Sequence, residues 1–328
     1  MSKYPHENTT ARVRQWQYLT GADFKAMDRK NTVVMVTCSP LEVHGPHLPV
    51  ITDNHEAECI SVRTMEILSE RNPNLEFVHL PPIYVAADVV PQPGSVAFRT
   101  STIVRVLEDM GRSLAAQGFE HIWVASFHGG PRHFVAIEEA CHRVNRRHNT
   151  KMVSAFSLLI NLLTGGNTDV ADVVEGMGGI TRADLEGDTH GGAVETSMML
   201  HLLGEYVDKA YEALPRRTVN TVLEEGGHKP LTSGKPSLGE LFRGFKHKLK
   251  FYETWTYSGK PAVASAEAGQ EMLEAFANHT ANALEEVWKG QRSLEDCHSP
   301  LWKVRWVFTF SPISKAFERA VGYKSQVW

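Results

Sequence analysis

The chain has 328 residues, a formal net charge of −4, 42% hydrophobic and 22% charged side chains, the balance of a soluble globular protein with one large or two small domains. No basic run gives an electrostatic case for nucleic acid, no apolar run reaches the ~18 residues of a membrane span, and the opening "MSKYPHENTTARVRQW" lacks the apolar core of a signal peptide. Four dispersed cysteines with no Cys-x-x-Cys read as reduced thiols of a cytoplasmic protein.

In chain order, residues 32–38 form a continuous valine-rich run, the pattern of a strand buried on both faces of a parallel sheet. Ala57, Ile60, Met65 and Leu68 then fall on one face of a helix over about 55–71. "LEFVHLPPI" reads as a second strand, and "TSTIVRVLEDMGRSLAAQG" as a helix closed by Gly118. "HIWVASF" is a third strand, followed by "HGGPRH" and a helix over about 134–147; "KMVSAFSLL" is a fourth strand. This alternation predicts a mainly parallel sheet covered by helices. Past Leu163 a segment rich in Gly and Asp reads as a loop with one short helix, "AVETSMMLHLLG" as a helix, 215–262 as irregular, and about 265–289 as a long helix. No internal repeat is present. The expectation is one domain over 1–300, with an insertion at about 226–256 and an aromatic C-terminal extension at 301–328. That extension is expected to pack on the core or on a neighbouring subunit, with Pro312 interrupting any membrane-binding helix.

Open parallel sheets place their sites at the carboxyl ends of strands. Glu42 and His44 follow the first strand, His128 follows the third, and Asp53 lies just before the next helix. Glu42 and His44 are two apart and share a side in extended chain. Pro46 and Pro49 stiffen the return that brings Asp53 back toward them. "DTHGGAVETS" adds His190 and Glu195 around a glycine pair that lets backbone approach closely. Two imidazoles and three carboxylates suit Zn, Mn or Fe better than Ca or Mg. They exceed what one open catalytic metal needs, and a carboxylate bridging two ions ~3.5–4 Å apart would use them all. Any one of these residues alone reads as a turn cap or a solvated side chain; their joint placement at strand ends favours a metal site. His47 is expected beside the ligands rather than among them, His55 to be structural, and Arg132 to be a solvated surface arginine. His133 is left undecided, and "HRVNRRH" reads as a polar helix face.

"LEVHGPHLPVITD", "FHGGP" and "DTHGGAVETS" resemble, in order, the three motifs of the creatininase (creatinine amidohydrolase) family: Glu-Gln-His-Gly-x-His-Leu-Pro with Thr-Asp, Gly-His-Gly-Gly-Asn, and His-Ala/Gly-Gly-x-x-Glu-Thr-Ser. "QPGSVAFRTSTI" and "YSGKPAVASAEAGQEM" are similar to two further family segments, so the resemblance spans about residues 30 to 290. It implies a three-layer α/β/α sandwich and a homo-oligomer, often a hexamer, acting on a small cyclic substrate. It also implies two divalent metal ions per subunit (Zn, Mn or Fe), bridged by Asp53. Glu42 and His128 would complete one site, and His44 and Glu195 the other. His190 would be the catalytic acid–base residue.

The chain departs from the pattern at Val43, which replaces Gln, and in "SFHGGP", which lacks two flanking polar groups. Creatinine-hydrolysing members carry glutamate at the position of Gly130 and use tryptophans to close over the substrate. Residues 160–193 contain no Trp, so creatinine itself is not the expected substrate. The expected reaction is attack of a metal-bound hydroxide on a carbonyl, cleaving a cyclic amide or related C–N bond. The alternatives are hydrolytic C–C cleavage of a cyclic diketone such as a 3-dehydro-scyllo-inosose-like inositol derivative, and a non-catalytic metal- or ligand-binding protein on the same fold. For the inositol-type ring, Asn167, Thr168, Asp169 and Arg182 would supply polar contacts.

Overall fold

The computed structural model describes residues 13–165, 170–231, 238–322 and 327. Its five strands are β1 (Val13–Gln15), β2 (Thr32–Thr37), β3 (Glu76–His79), β4 (His121–Ala125) and β5 (Lys151–Ser154). All pair in parallel, in the order β1-β3-β2-β4-β5. Among the described residues, thirteen α-helices surround them. The first five are α1 (Gly21–Ala26), α2 (Thr52–Arg71), α3 (Thr100–Ala116), α4 (Pro131–Asn145) and α5 (Ala155–Gly165). Next come α6 (Val170–Val174), α7 (Arg182–Leu185), α8 (Ala193–Leu203), α9 (Val219–Glu225) and α10 (Leu238–Tyr252). The last are α11 (Ala266–Trp288), α12 (Trp306–Thr309) and α13 (Ser311–Val321).

The central strand β2 is buried at every residue, as its unbroken apolar run requires. Strand alternation sends Val33 and Met35 to one face and Val34 and Val36 to the other. The first pair packs with Met65 and Leu68 of α2 and with Ala281 and Leu284 of α11. The second packs with Ile103 and Leu107 of α3 and with Ile137 and Ala140 of α4. These two apolar layers give the parallel sheet covered by helices that the alternating pattern predicts, and the three-layer α/β/α sandwich that the resemblance implies.

Four elements differ from the sequence expectation. β1 is a short edge strand, too brief to show a pattern. "KMVSAFSLL" divides: β5 ends at Ser154, whose Oγ accepts the Ser157 N–H at 3.2 Å and so caps α5. Residues 215–262 hold two helices, α9 and α10, the first opened by a reciprocal Thr218–Thr221 capping box. Pro312 falls in the first turn of α13, where its missing N–H costs nothing, so it starts a helix rather than breaking one. The extension packs on the core, Phe308 contributing to a cluster with Phe134 and Val135 of α4. Asn167, Thr168 and Asp169 lie outside the described residues, and Arg182 is paired with Asp172. No helix among the described residues is long and apolar enough to cross a membrane.

Helix α11 packs on both α8 and α2. A Cβ at Gly269 of α11 would lie 1.9 Å from the Ser197 carbonyl oxygen of α8, so the close crossing of these helices requires glycine there.

Candidate metal centre

Past β2 the chain runs out to Glu42 and His44 and reverses at Gly45, whose φ of +68° favours glycine. The Glu42 N–H donates to the Val50 carbonyl at 2.8 Å, closing the loop. Helix α2 therefore begins beside the outgoing chain, with Asp53 in its first turn. His128 stands just beyond the end of β4, before Pro131 opens α4. The third segment is pressed against the first. Gly191 has φ +56°, and a Cβ there would lie 3.2 Å from the His44 carbonyl carbon. Glu195, in the first turn of α8, accepts the Gly191 N–H at 2.5 Å, which also suits its charge to the helix dipole.

These loops gather Glu42, His44, Asp53, His128 and Glu195 into one cluster. His128 Nδ1 lies 2.9 Å from Glu42 Oε2 and 3.3 Å from Asp53 Oδ2. His44 Nε2 lies 3.2 Å from Asp53 Oδ1 and 3.6 Å from Glu195 Oε2. Each imidazole uses its other nitrogen as a donor to backbone: His128 Nε2 to the Ala87 carbonyl at 3.0 Å, and His44 Nδ1 to the Glu42 carbonyl at 3.0 Å. That arrangement fixes the tautomer and aims a lone pair at the carboxylates, as in metal-binding histidines. Two three-residue groups within ligating reach, Glu42–Asp53–His128 and His44–Asp53–Glu195, share Asp53. A third group joins Glu42, His44 and His190, and the His190 ring stacks on His44 at 4.0 Å.

The charge balance calls for cations. Glu42 and Asp53 are almost fully buried, and Glu42 Oε2 and Asp53 Oδ2 make no hydrogen bond. Burial alone would drive the carboxyls to take up protons. Against burial, Asp53 and Glu195 raise His44 to about 10, and the Glu42 carboxylate carries His128 well above its usual value. Burial is likewise outweighed at Asp53, which His44 and His128 hold well below the carboxylate range. Burial raises Glu195 to about 7. Positive charge is thus drawn to the points where two imidazole lone pairs meet carboxylate oxygens. Divalent ions fit there, and the donor set of nitrogen and carboxylate oxygen suits Zn or Mn.

Neighbouring residues hold the cluster. His47 Nε2 contacts Thr196 Oγ1 at 2.8 Å. His133 packs edge-on against His128 at 5.3 Å between ring centroids, with its Nε2 3.0 Å from the Cys38 carbonyl and 3.2 Å from Ser126 Oγ. Arg132, expected on the surface, is buried and paired with Asp88 and with Glu318 of α13. The Val90 N–H donates to Glu42 Oε1 at 2.5 Å. Glu56 is fully buried with both oxygens unbonded, and burial, then Glu195 and Asp53, push its pKa well up. Sequence reasoning passed over Asp88 and Tyr252, neither of which stands in a motif, and read Glu56 as a residue beside the ligands or a structural one. Glu56 lies one helical turn past Asp53 on α2.

Comparison with known proteins agrees with this architecture. The sequence profile of the creatininase family, described as creatinine amidohydrolase, matches residues 17–284. No curated protein sequence matches the chain. Among solved structures, it is similar to a proposed creatinine amidohydrolase from Bacteroides fragilis NCTC 9343, with TM-score 0.57, 20% identity, and coverage of 87% of this chain and 99% of that one. A manganese form of creatininase aligns with TM-score 0.56 and 19% identity over 84% of this chain and 99% of that one. A zinc–zinc form of a creatininase variant aligns with TM-score 0.53 and 19% identity over 84% and 98%.

Proposed function

Since the chain belongs to the creatininase family of metal-dependent amidohydrolases, we propose that it is a binuclear metallohydrolase acting on a carbonyl of a small cyclic substrate. The observation that carries this reading is Asp53, whose two oxygens each face a different histidine at 3.2 and 3.3 Å. Glu42, His128 and Asp53 Oδ2 would hold one ion; His44, Glu195 and Asp53 Oδ1 the other. When bound, such a pair supplies Lewis acidity and a water of lowered pKa.

The chain's own residues do the rest. Val90 N–H and Gly191 N–H orient the carboxylates of Glu42 and Glu195. The Ala87 carbonyl and the Glu42 backbone carbonyl fix the two imidazoles. His190 donates Nε2–H to the Val43 carbonyl at 2.9 Å, leaving Nδ1 as the nitrogen with a lone pair. Burial and the neighbouring His44 keep His190 well below the ordinary histidine value and so neutral; its Nδ1 would take a proton and pass it to the leaving atom in the proposed reaction.

Cleavage of a cyclic amide or related C–N bond is the first reading. Creatinine itself is disfavoured by Gly130, where a Cβ would lie 2.5 Å from His128 Nε2 and 2.7 Å from the Asp88 Cβ. The glutamate of creatinine-hydrolysing members has no room there. The second reading is hydrolytic C–C cleavage of a cyclic diketone. Both add water across a carbonyl carbon and differ in whether the departing proton acceptor is nitrogen or carbon. We take the chain as a single metallohydrolase domain that works as a homo-oligomer.

The test is metal analysis of the purified protein, followed by ring-opening assays on cyclic amides, cyclic ureas and inositol-derived ketones, with and without chelator. His190→Asn should keep its metal and lose turnover by on the order of 10²–10⁴-fold. Asp53→Asn should lose both. A protein that takes up no divalent metal, or turns over equally in chelator, rules the reading out.

A further inference from the structure

The cluster is rich in acceptors and poor in donors. Its imidazoles present lone pairs, and its carboxylates accept only. A substrate with a carbonyl, carboxylate or hydroxyl oxygen needs a neutral donor as well as the metals. The described structure brings one from an unexpected quarter. Tyr252 ends α10, in the segment read from sequence as an insertion outside the family core. Its ring meets His190 edge-on at 5.5 Å between centroids, and His190 in turn stacks on His44. The phenol oxygen lies 3.3 Å from Thr189 Oγ1, next to His190 in the chain. The residue is half-buried, so it borders the cluster while remaining reachable from solvent.

We propose that Tyr252 donates a hydrogen bond from its phenol to an oxygen of the substrate held at the metal centre, making the end of α10 a specificity element of this chain. The proposal rests on the binuclear reading above. Tyr252 suits the role chemically. Burial, and beyond it the carboxylates of Glu42 and Glu195, push its pKa up, so the phenol keeps its proton at any working pH. With the Thr189 hydroxyl as the donor to the phenol oxygen at 3.3 Å, the phenol proton is left for the substrate. The ring that Tyr252 sets against His190 carries a hydroxyl. An oxygen-bearing ring would be preferred over a flat apolar face.

The experiment uses the full chain loaded with Mn²⁺ and inorganic phosphate as the oxygen-acceptor probe, with affinities read by calorimetry. Tyr252→Phe keeps the ring against His190, and thermal unfolding checks that the fold is intact. Mn²⁺ affinity should be unchanged, while phosphate binding weakens by about 10–100-fold, the effect of losing a hydrogen bond to a charged acceptor. Equal phosphate affinity in Tyr252→Phe, or no phosphate binding by the Mn²⁺-loaded parent, overturns the proposal while leaving the metal centre standing. A parent chain that takes up no Mn²⁺ removes the binuclear reading and this proposal with it.

Discussion

Arg132 grips Asp88 at both carboxylate oxygens: its backbone N–H donates to Oδ2 at 2.6 Å and its guanidinium to Oδ1. Asp88 is the non-glycine residue with positive φ, +65°, among the described residues, a conformation that costs on the order of 1–2 kcal/mol. The grip holds a turn whose neighbours serve the cluster directly, Ala87 through His128 and Val90 through Glu42. Glu318 of α13 pairs with the same guanidinium. The C-terminal extension is therefore connected to the metal centre through buried charge.

Glu318→Ala should destabilise the protein by about 1–3 kcal/mol, because it removes one of two carboxylate partners from a buried guanidinium and leaves Asp88. It should also weaken metal binding on the His128 side by about 10–100-fold, the usual effect of disturbing groups that orient ligands. Urea unfolding and metal titration read the two effects separately. Destabilisation with unchanged metal affinity would show that the link is structural only.

Gly130→Ala is the smallest probe of the space beside His128. Its Cβ would meet His128 Nε2 and the Asp88 Cβ, so the hydrogen bond from His128 to Ala87 must open or the Asp88 turn must shift. A loss of about 1–3 kcal/mol is expected, together with weaker metal binding. Gly130→Glu should not create creatinine hydrolysis. Its appearance in that variant would show the turn to be more pliant than the structure indicates.

Metal affinity should rise with pH. Without ions, His44 holds its proton up to about 10, and His128 is raised as well. An entering cation must displace these protons, so binding strengthens as pH rises toward about 10 and releases protons to the buffer. Calorimetry in buffers of different ionisation enthalpy measures the number released. Binding without proton release would exclude His44 and His128 as ligands.

Acid should destabilise the fold through histidines kept neutral inside it. Burial, then Lys151, lowers His121 on β4 from 6.5 to about 4. Below 6.5 the unfolded chain takes the proton first, so the stability this neutral histidine contributes is complete above 6.5 and is lost as pH falls toward 4. The melting temperature should fall across that window. His121→Gln should flatten the slope; an unchanged slope would assign the acid sensitivity to other groups such as His298.

The gathering of Glu42, His44, Asp53, His128 and Glu195 was legible because each stands at a strand end or helix start within a short glycine-marked segment. The sheet was legible where strands are long and fully buried, as in β2. The join of β5 to α5 was not, because an apolar run such as "SAFSLL" has no period that separates a buried strand from a buried helix, and only the Ser154 cap marks the change. Arg132, Asp88 and Glu318 escaped because their pairing spans long sequence separations, and a left-handed aspartate leaves no pattern. Tyr252 escaped for the same reason: its relation to His190 is made by the path of α10, not by any spacing.

Asp53 and Glu195 sit at the starts of α2 and α8, and both helices rest on α11, with Gly269 seated on the Ser197 carbonyl. The spacing of those two carboxylates is therefore referenced to a contact between helices, made by α11 and not by α10. Segments such as α10 can lengthen, shorten or exchange residues while that helix contact stays put. Such a division of labour lets one scaffold be retuned to new substrates without rebuilding its reactive core.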